Sequence, residues 1–341
     1  MSVSNQSDTK QDSSVENEYQ IINVDTDFYG DLESAIAAAD HGDTVILSEN
    51  TYYTDGILIE KDITLRGKPG AVINGGGTSE SIFYLNSEAS GTTIKDIEIT
   101  NGNNGIFVQD AANVTLKNLN IHNIGVEETI RYGSNNTGIV LDYAEGFKLF
   151  DSTVHNIGKK AVGISNTDGG LVSNLTIHDV NLEAQHVQSH DAAGIKLFNT
   201  NDITVRDNHL YDLNTIFIWN DITNLTTIEN NKVENVGEDF LAPAFNNYVE
   251  TIGIYNEKSV NSLVKHNEVT AVGEFTAFRA TEFTTETMTL EDNNFSNYQL
   301  GTTDYWANES AEKLVAITAD PREADFSLFA NDYLTQANIG D

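Results

Sequence analysis

The chain has 341 residues, 39% of them hydrophobic, with no cysteine and a formal net charge of -34 from 52 acidic against 18 basic side chains. The length allows one large domain or two ordinary ones, and the lack of cysteine excludes disulfides and thiol chemistry. So negative a surface repels nucleic acid and anionic membrane, and no apolar run nears the ~20 residues of a membrane-spanning helix.

In chain order, residues 1–20, MSVSNQSDTKQDSSVENEYQ, are polar and read as a disordered tail, or as the remainder left by removal of a secretion signal. Next, DLESAIAAADHGDTVIL places Leu32, Ala35, Ile36 and Ala39 at helical spacing, with Gly42 as the stop. This predicts a short amphipathic helix that plugs one end of the fold.

From residue 81 to 298 the chain repeats itself. Four copies align without gaps: GIFVQDAANVTLKNLNIHNI (105–124), GIVLDYAEGFKLFDSTVHNI (138–157), AVGISNTDGGLVSNLTIHDV (161–180) and GIKLFNTNDITVRDNHLYDL (194–213). Looser copies stand at 81–100, 215–236, 251–272 and 275–298. Each copy holds three short alternating runs separated by Asn, Asp or Gly, the pattern of short strands joined by turns. Three strands per repeat make one coil of a parallel β-helix, with coils stacked about 4.8 Å apart. Equivalent residues then form columns. One of them, Asp96, Asn118, Asp151, Asn174, Asp207, Asn230, His266 and Asp292, reads as a polar turn ladder. The last segment, residues 301–341, loses the repeat and is expected to cap the final coil, because an open end exposes core and strand edges. The expected fold is all-β, a single-stranded parallel β-helix of about 9–10 coils, monomeric, over residues 21–300.

The stretch ESAIAAADHGDTVILSENTYYTDGILIEKDITLRGKPGAVINGGG resembles the opening of right-handed parallel β-helix proteins of the pectin-lyase-like superfamily. The later DPREADFSLFANDYL is similar to their closing segment, so the likeness runs over roughly residues 21–341. It implies a right-handed coil and a sugar-binding face on the sheet of first strands. Among the activities it implies are polysaccharide lyases, mannuronan C5-epimerases, glycoside hydrolases and phage tailspikes. The chain carries no DPHE, GHG, RIK or RxPxxR signature of the individual enzyme families. AGIK is similar to a lysine-on-strand arrangement in β-helix lyases, which implies Lys196 as a proton acceptor.

Three long inserts, 125–137, 181–193 and 237–250, all precede a first strand, so they should wall a groove over that sheet. Alternation sends Ile195 and Leu197 inward and Lys196 and Phe198 outward. Extending the alignment gives one outward column of Gln109, Asp142, Ser165, Phe198, Trp219, Tyr255 and Arg279. The other holds Phe107, Val140, Gly163, Lys196, Phe217, Gly253 and Ala277. Phe198, Trp219 and Tyr255 in one row would form a stacking platform for sugar rings or an aromatic ladder that stabilises the sheet.

Arg131 and Tyr132 come from the first insert and His190 and Asp191 from the second. With Lys196 and Arg279 they converge on this face. A cation that neutralises a sugar carboxylate, beside a Lys, His or Tyr that takes the C5 proton, is the equipment of a uronate lyase or epimerase. Asp142 and Asp191 could instead be the carboxylate pair of a hydrolase acting on a neutral glycan. A non-catalytic carbohydrate-binding or surface-attachment β-helix is the third reading. His122, His155 and His178 form an outward column that reads as a structural stack rather than a metal site. Ca²⁺ held by acidic loops is the one cofactor expectation, without an organic cofactor, and the setting expected is secreted or cell-surface.

Overall fold

In the computed structural model, the described residues are 19–77, 80–126, 136–181, 192–234, 251–270, 276–281, 288–296, 298–301 and 307–309. Residues 1–18 of the segment read as a disordered tail and, apart from Gly301 and 307–309, the C-terminal cap fall outside them.

The chain winds as a single-stranded parallel β-helix. First strands stack into one sheet in chain order: β1 (Ile57–Ile59), β2 (Phe83–Leu85), β3 (Ile106–Gln109), β4 (Thr137–Asp142), β5 (Lys160–Ser165), β6 (Ala193–Phe198), β7 (Ile216–Asp221), β8 (Ile252–Glu257), β9 (Thr276–Thr281) and β10 (Tyr298–Gly301). A final strand, Ala307–Glu309, runs antiparallel to β10. The remainder of each coil forms a 17-stranded sheet. There the expected second and third strands often run on as one bent strand, as in Thr115–Ile124, Phe147–Ile157 and Asp168–Val180. The corner between them is a single left-handed residue, too short to break the ladder.

Those corner residues are the predicted turn ladder. Asp96, Asn118, Asp151, Asn174, Asp207, Asn230, His266 and Asp292 all have φ between 46° and 60°, a region in which Asn and Asp are strongly enriched. Their side chains link successive coils: the Asn118 amide donates to Asp96 at 2.7 Å and the Asn174 amide to Asp151 at 2.8 Å.

Inside, Ile106, Ile139, Val162, Ile195, Ile218, Ile254 and Phe278 stand opposite one another from β3 to β9, all fully buried. Each such side chain contributes about 1.5–3 kcal/mol by leaving water. The later coils add an internal amide column. Asn208, Asn231, Asn267 and Asn293 are buried and each Oδ1 from Asn231 onward accepts from the backbone N–H and the amide of the asparagine before it.

The N-terminal plug forms as its sequence dictates. Helix α1 (Val24–Asp27) precedes α2 (Leu32–Ala38), whose Leu32, Ala35 and Ile36 are buried together with Ala39 at its end. Asp31 caps α2 by accepting from the Ser34 backbone N–H at 2.9 Å.

Candidate functional site

The outward face of the first-strand sheet carries two columns, fixed by strand register. One reads Phe107, Val140, Gly163, Lys196, Trp219, Tyr255 and Arg279. The other reads Gln109, Asp142, Ser165, Phe198, Asp221 and Glu257. This corrects the expected alignment at one step: Lys196 stands opposite Trp219, two positions beyond Phe217. Phe217 is fully buried and stands opposite Gly194, with Gly253 in the corresponding place one coil on. A Cβ on Gly194 would lie 2.5 Å from the Phe217 carbonyl oxygen and 2.6 Å from a Leu213 methyl, so its coil has no room for a side chain there.

The expected row of Phe198, Trp219 and Tyr255 therefore does not exist. Phe198 is 41% exposed but sits in the other column, and Trp219 is buried. Trp219 and Tyr255 instead stack with centroids 5.8 Å apart between two cations. Lys196 Nζ lies 3.5 Å from the Trp219 ring centroid, and the Arg279 guanidinium carbon 5.9 Å from that of Tyr255. Lys196 also pairs with Asp221 at 3.4 Å. The carboxylate and the indole face thus hold its side-chain nitrogen from two sides. Burial pushes the Arg279 pKa down to about 10, as expected for a cation removed from water.

Beside Lys196, a cavity of about 320 Å³ opens over Val140 and Gly163, with Phe107 and Phe198 also in its walls. Its polar lining includes Lys160, Lys196, Asp142 and Ser165. Gly163 makes the room: a Cβ there would touch the Lys160 side chain at 3.6 to 3.8 Å. Asp142 is held in place by the Ser165 hydroxyl at 2.7 Å and the Asn166 amide at 2.9 Å. Lys160 was missed in the sequence, although its signal, a KK pair opening the strand that contains Gly163, was visible.

Two further residues escaped the sequence reading. Asp221 and Glu257 are neighbours in one column on consecutive coils, and IWND and IYNE repeat the same aromatic-Asn-acid ending. Glu257 accepts from the Trp219 indole N–H at 3.0 Å. Burial, and secondarily the Glu257 charge, raises the Asp221 pKa against the pull of Lys196. Asp142 lies three coils from Asp221 along the same column.

Among the expected site residues, Lys196, Asp142, Phe198, Trp219, Tyr255 and Arg279 all lie on this face. Arg131, Tyr132, His190 and Asp191 fall outside the described residues.

The histidine column is a ring stack, as expected, and Tyr211 is its fourth member. His122, His155, His178 and Tyr211 stack at 4.8 to 4.9 Å, with interplanar angles of 17° or less. Glu98 and Asp179 engage the first and third imidazoles. Among the described residues there is no group of three or more His, Cys, Asp or Glu suited to a metal ion.

The protein family described as right handed beta helix region matches residues 70–235 and 126–301, together more than half of the chain. An alginate lyase from Paenibacillus sp. str. FPU-7 shares the fold with a TM-score of 0.57 and 15% identity, over 83% of this chain and 98% of that one. XylC in complex with xylose gives 0.55 and 12%, over 83% and 71% of the two chains. Pectate lyase Pel9A gives 0.50 and 13%, over 84% and 78%. At these identities the likeness is one of fold. No curated protein sequence matches the chain.

Proposed function

The chain belongs to the right-handed β-helix family, and from that premise we propose that it acts on a uronate-containing polysaccharide by C5 proton abstraction, as a lyase or an epimerase. The observation that carries this is the cavity over Gly163, sized for one sugar residue and lined by two lysines in a chain with only 18 basic residues. A sugar carboxylate placed between Lys160 and Lys196 is neutralised, which acidifies the proton on the neighbouring C5. With Lys196 engaged by Asp221 and Trp219, the proton acceptor falls to His190 or Tyr132 of the adjoining inserts. Loss of the O4 leaving group then gives an unsaturated product, and return of a proton from the opposite face gives the C5 epimer. Two of the similar structures are an alginate lyase and a pectate lyase, so polyuronates head the substrate panel.

A second reading, hydrolysis of a neutral glycan, moves from Asp142 and Asp191 to Asp221 and Glu257. In this reading Asp221, whose proton burial helps to retain, is the acid, and Glu257 on the next coil is its partner carboxyl.

Product analysis over a panel of polyuronates and neutral glycans separates the readings. Ultraviolet absorbance from an unsaturated uronide marks a lyase, and inverted C5 configuration marks an epimerase. New reducing ends without either mark a hydrolase and would overturn the first reading. Lys196→Arg keeps the charge without a removable proton. Activity that survives in Lys196→Arg and is lost in His190→Ala makes the lysine a carboxylate binder.

A further inference from the structure

A second groove, of about 480 Å³, lies around the corner from the first-strand sheet. We propose that it is a separate binding site for a neutral, hydroxyl-rich glycan chain. This inference stands apart from the uronate reading, since the groove shares no lining residue with the cavity over Gly163.

The floor is a pair of amide ladders. The Asn199 amide donates to Asn166 at 2.8 Å. In the next column Asn201 donates to Asp168, Asn224 to Asn201 and Asn261 to Asn224, at 2.6 to 2.7 Å. Each amide carries two N–H donors and the ladder uses one. The result is a row of hydrogen-bonding edges repeated once per coil, about every 4.8 Å, comparable to the length of a sugar ring. Thr200, whose buried hydroxyl oxygen has no hydrogen-bond partner, belongs to the groove wall.

The rim supplies what an amide ladder does not. Tyr143 and Ile222 are 52% and 45% exposed, and their φ values are 51° and 55°. Flanking coils place Asn166, Asn199 and Lys258 in the same column. An isoleucine in this backbone region is a steric outlier, and exposure returns no burial energy for it. Strain kept where a polar residue would fit is a mark of function. A pyranose has the matching character: its C–H face packs on the tyrosine and the isoleucine while its hydroxyls meet the amides. The chain's net charge of -34 disfavours a polyanion here, where Lys258, 3.8 Å from Glu257, is the one basic residue among the described lining.

Native gel electrophoresis through laminarin, a neutral glucan, and separately through alginate tests the groove. Laminarin is expected to retard the wild type. Ile222→Asn should weaken that retardation at least about fivefold, while melting a few degrees higher or unchanged, because strain is relieved. Tyr143→Ala should weaken it similarly, and Lys160→Ala should leave it intact. Unchanged laminarin retardation in Ile222→Asn, or none in the wild type, would overturn the proposal. So would retardation by alginate alone that Lys160→Ala abolishes, because binding would then belong to the first-strand cavity. Failure of polyuronate turnover, in contrast, bears only on the uronate reading.

Discussion

The two lysines of the cavity differ in what holds them, and their substitutions should separate accordingly. Lys196 braces Asp221 and Trp219, whereas Lys160 folds over Gly163. Lys160→Ala removes one charge-assisted contact to a bound carboxylate, worth about 1.5–3 kcal/mol. Steady-state kinetics should show KM raised about tenfold or more. Gly163→Val should have the larger effect, because its methyl groups fill the space that the sugar and the Lys160 stem share. Normal turnover in Gly163→Val would remove the cavity from the mechanism. Asp221 makes a prediction through pH. Its folded-state pKa is raised above 3.8, chiefly by burial, so the folded state holds its proton more tightly than the unfolded chain. The stability this gives is fully present below 3.8 and is lost as pH rises through the raised value. Urea unfolding across that window should show wild type losing stability relative to Asp221→Asn as pH increases.

At the level of strands and turns, most of the architecture was legible because a β-helix writes each coil in the same chemistry. The eight turn residues from Asp96 to Asp292, seven of them Asn or Asp, were readable as a column since left-handed corners favour those residues. The step from Lys196 to Trp219 was not readable. IFIW is apolar on both faces, and the inward Asn220 and Asn256, joined amide to amide, look like turn residues in a one-dimensional pattern. That single slip displaced Trp219 by one column and hid the Asp221–Glu257 pair. The cavity over Gly163 was only half legible: the glycine could be set in its outward column, but which side chain crosses it depends on packing. The histidine column carries its own test. Burial and the flanking His178 and His122 push the His155 pKa below 6.5, so its neutral form is favoured in the folded state. The corresponding stability is present above 6.5 and is lost as pH falls through the lowered value. Glu98 and Asp179, at the neighbouring rings, act in the opposite direction. His155→Tyr keeps a stackable ring, as Tyr211 does one coil beyond His178. Thermal melts should show this variant less sensitive to acid than the wild type, and equal sensitivity would place the titration elsewhere.

The whole molecule is a stack of coils that carries a strong negative charge. With 52 acidic and 18 basic residues, self-repulsion should destabilise the protein at low ionic strength, where the Debye length is about 30 Å at 0.01 M. Added NaCl should raise the melting temperature. The same effect from micromolar CaCl₂ would identify a specific Ca²⁺ site, whereas a millimolar requirement marks screening. On the proposed function the field also sets the problem, because a polyuronate would approach against it and would need the local lysines to bind. The most direct measurement is proton NMR of polyuronates incubated with the protein in D₂O. The expected result is either olefinic protons from elimination or loss of the C5 proton signal through exchange, each abolished by joint Lys160→Ala and Lys196→Ala substitution. Unaltered C5 protons throughout the panel, or new reducing ends with C5 untouched, would contradict C5 proton abstraction as the activity.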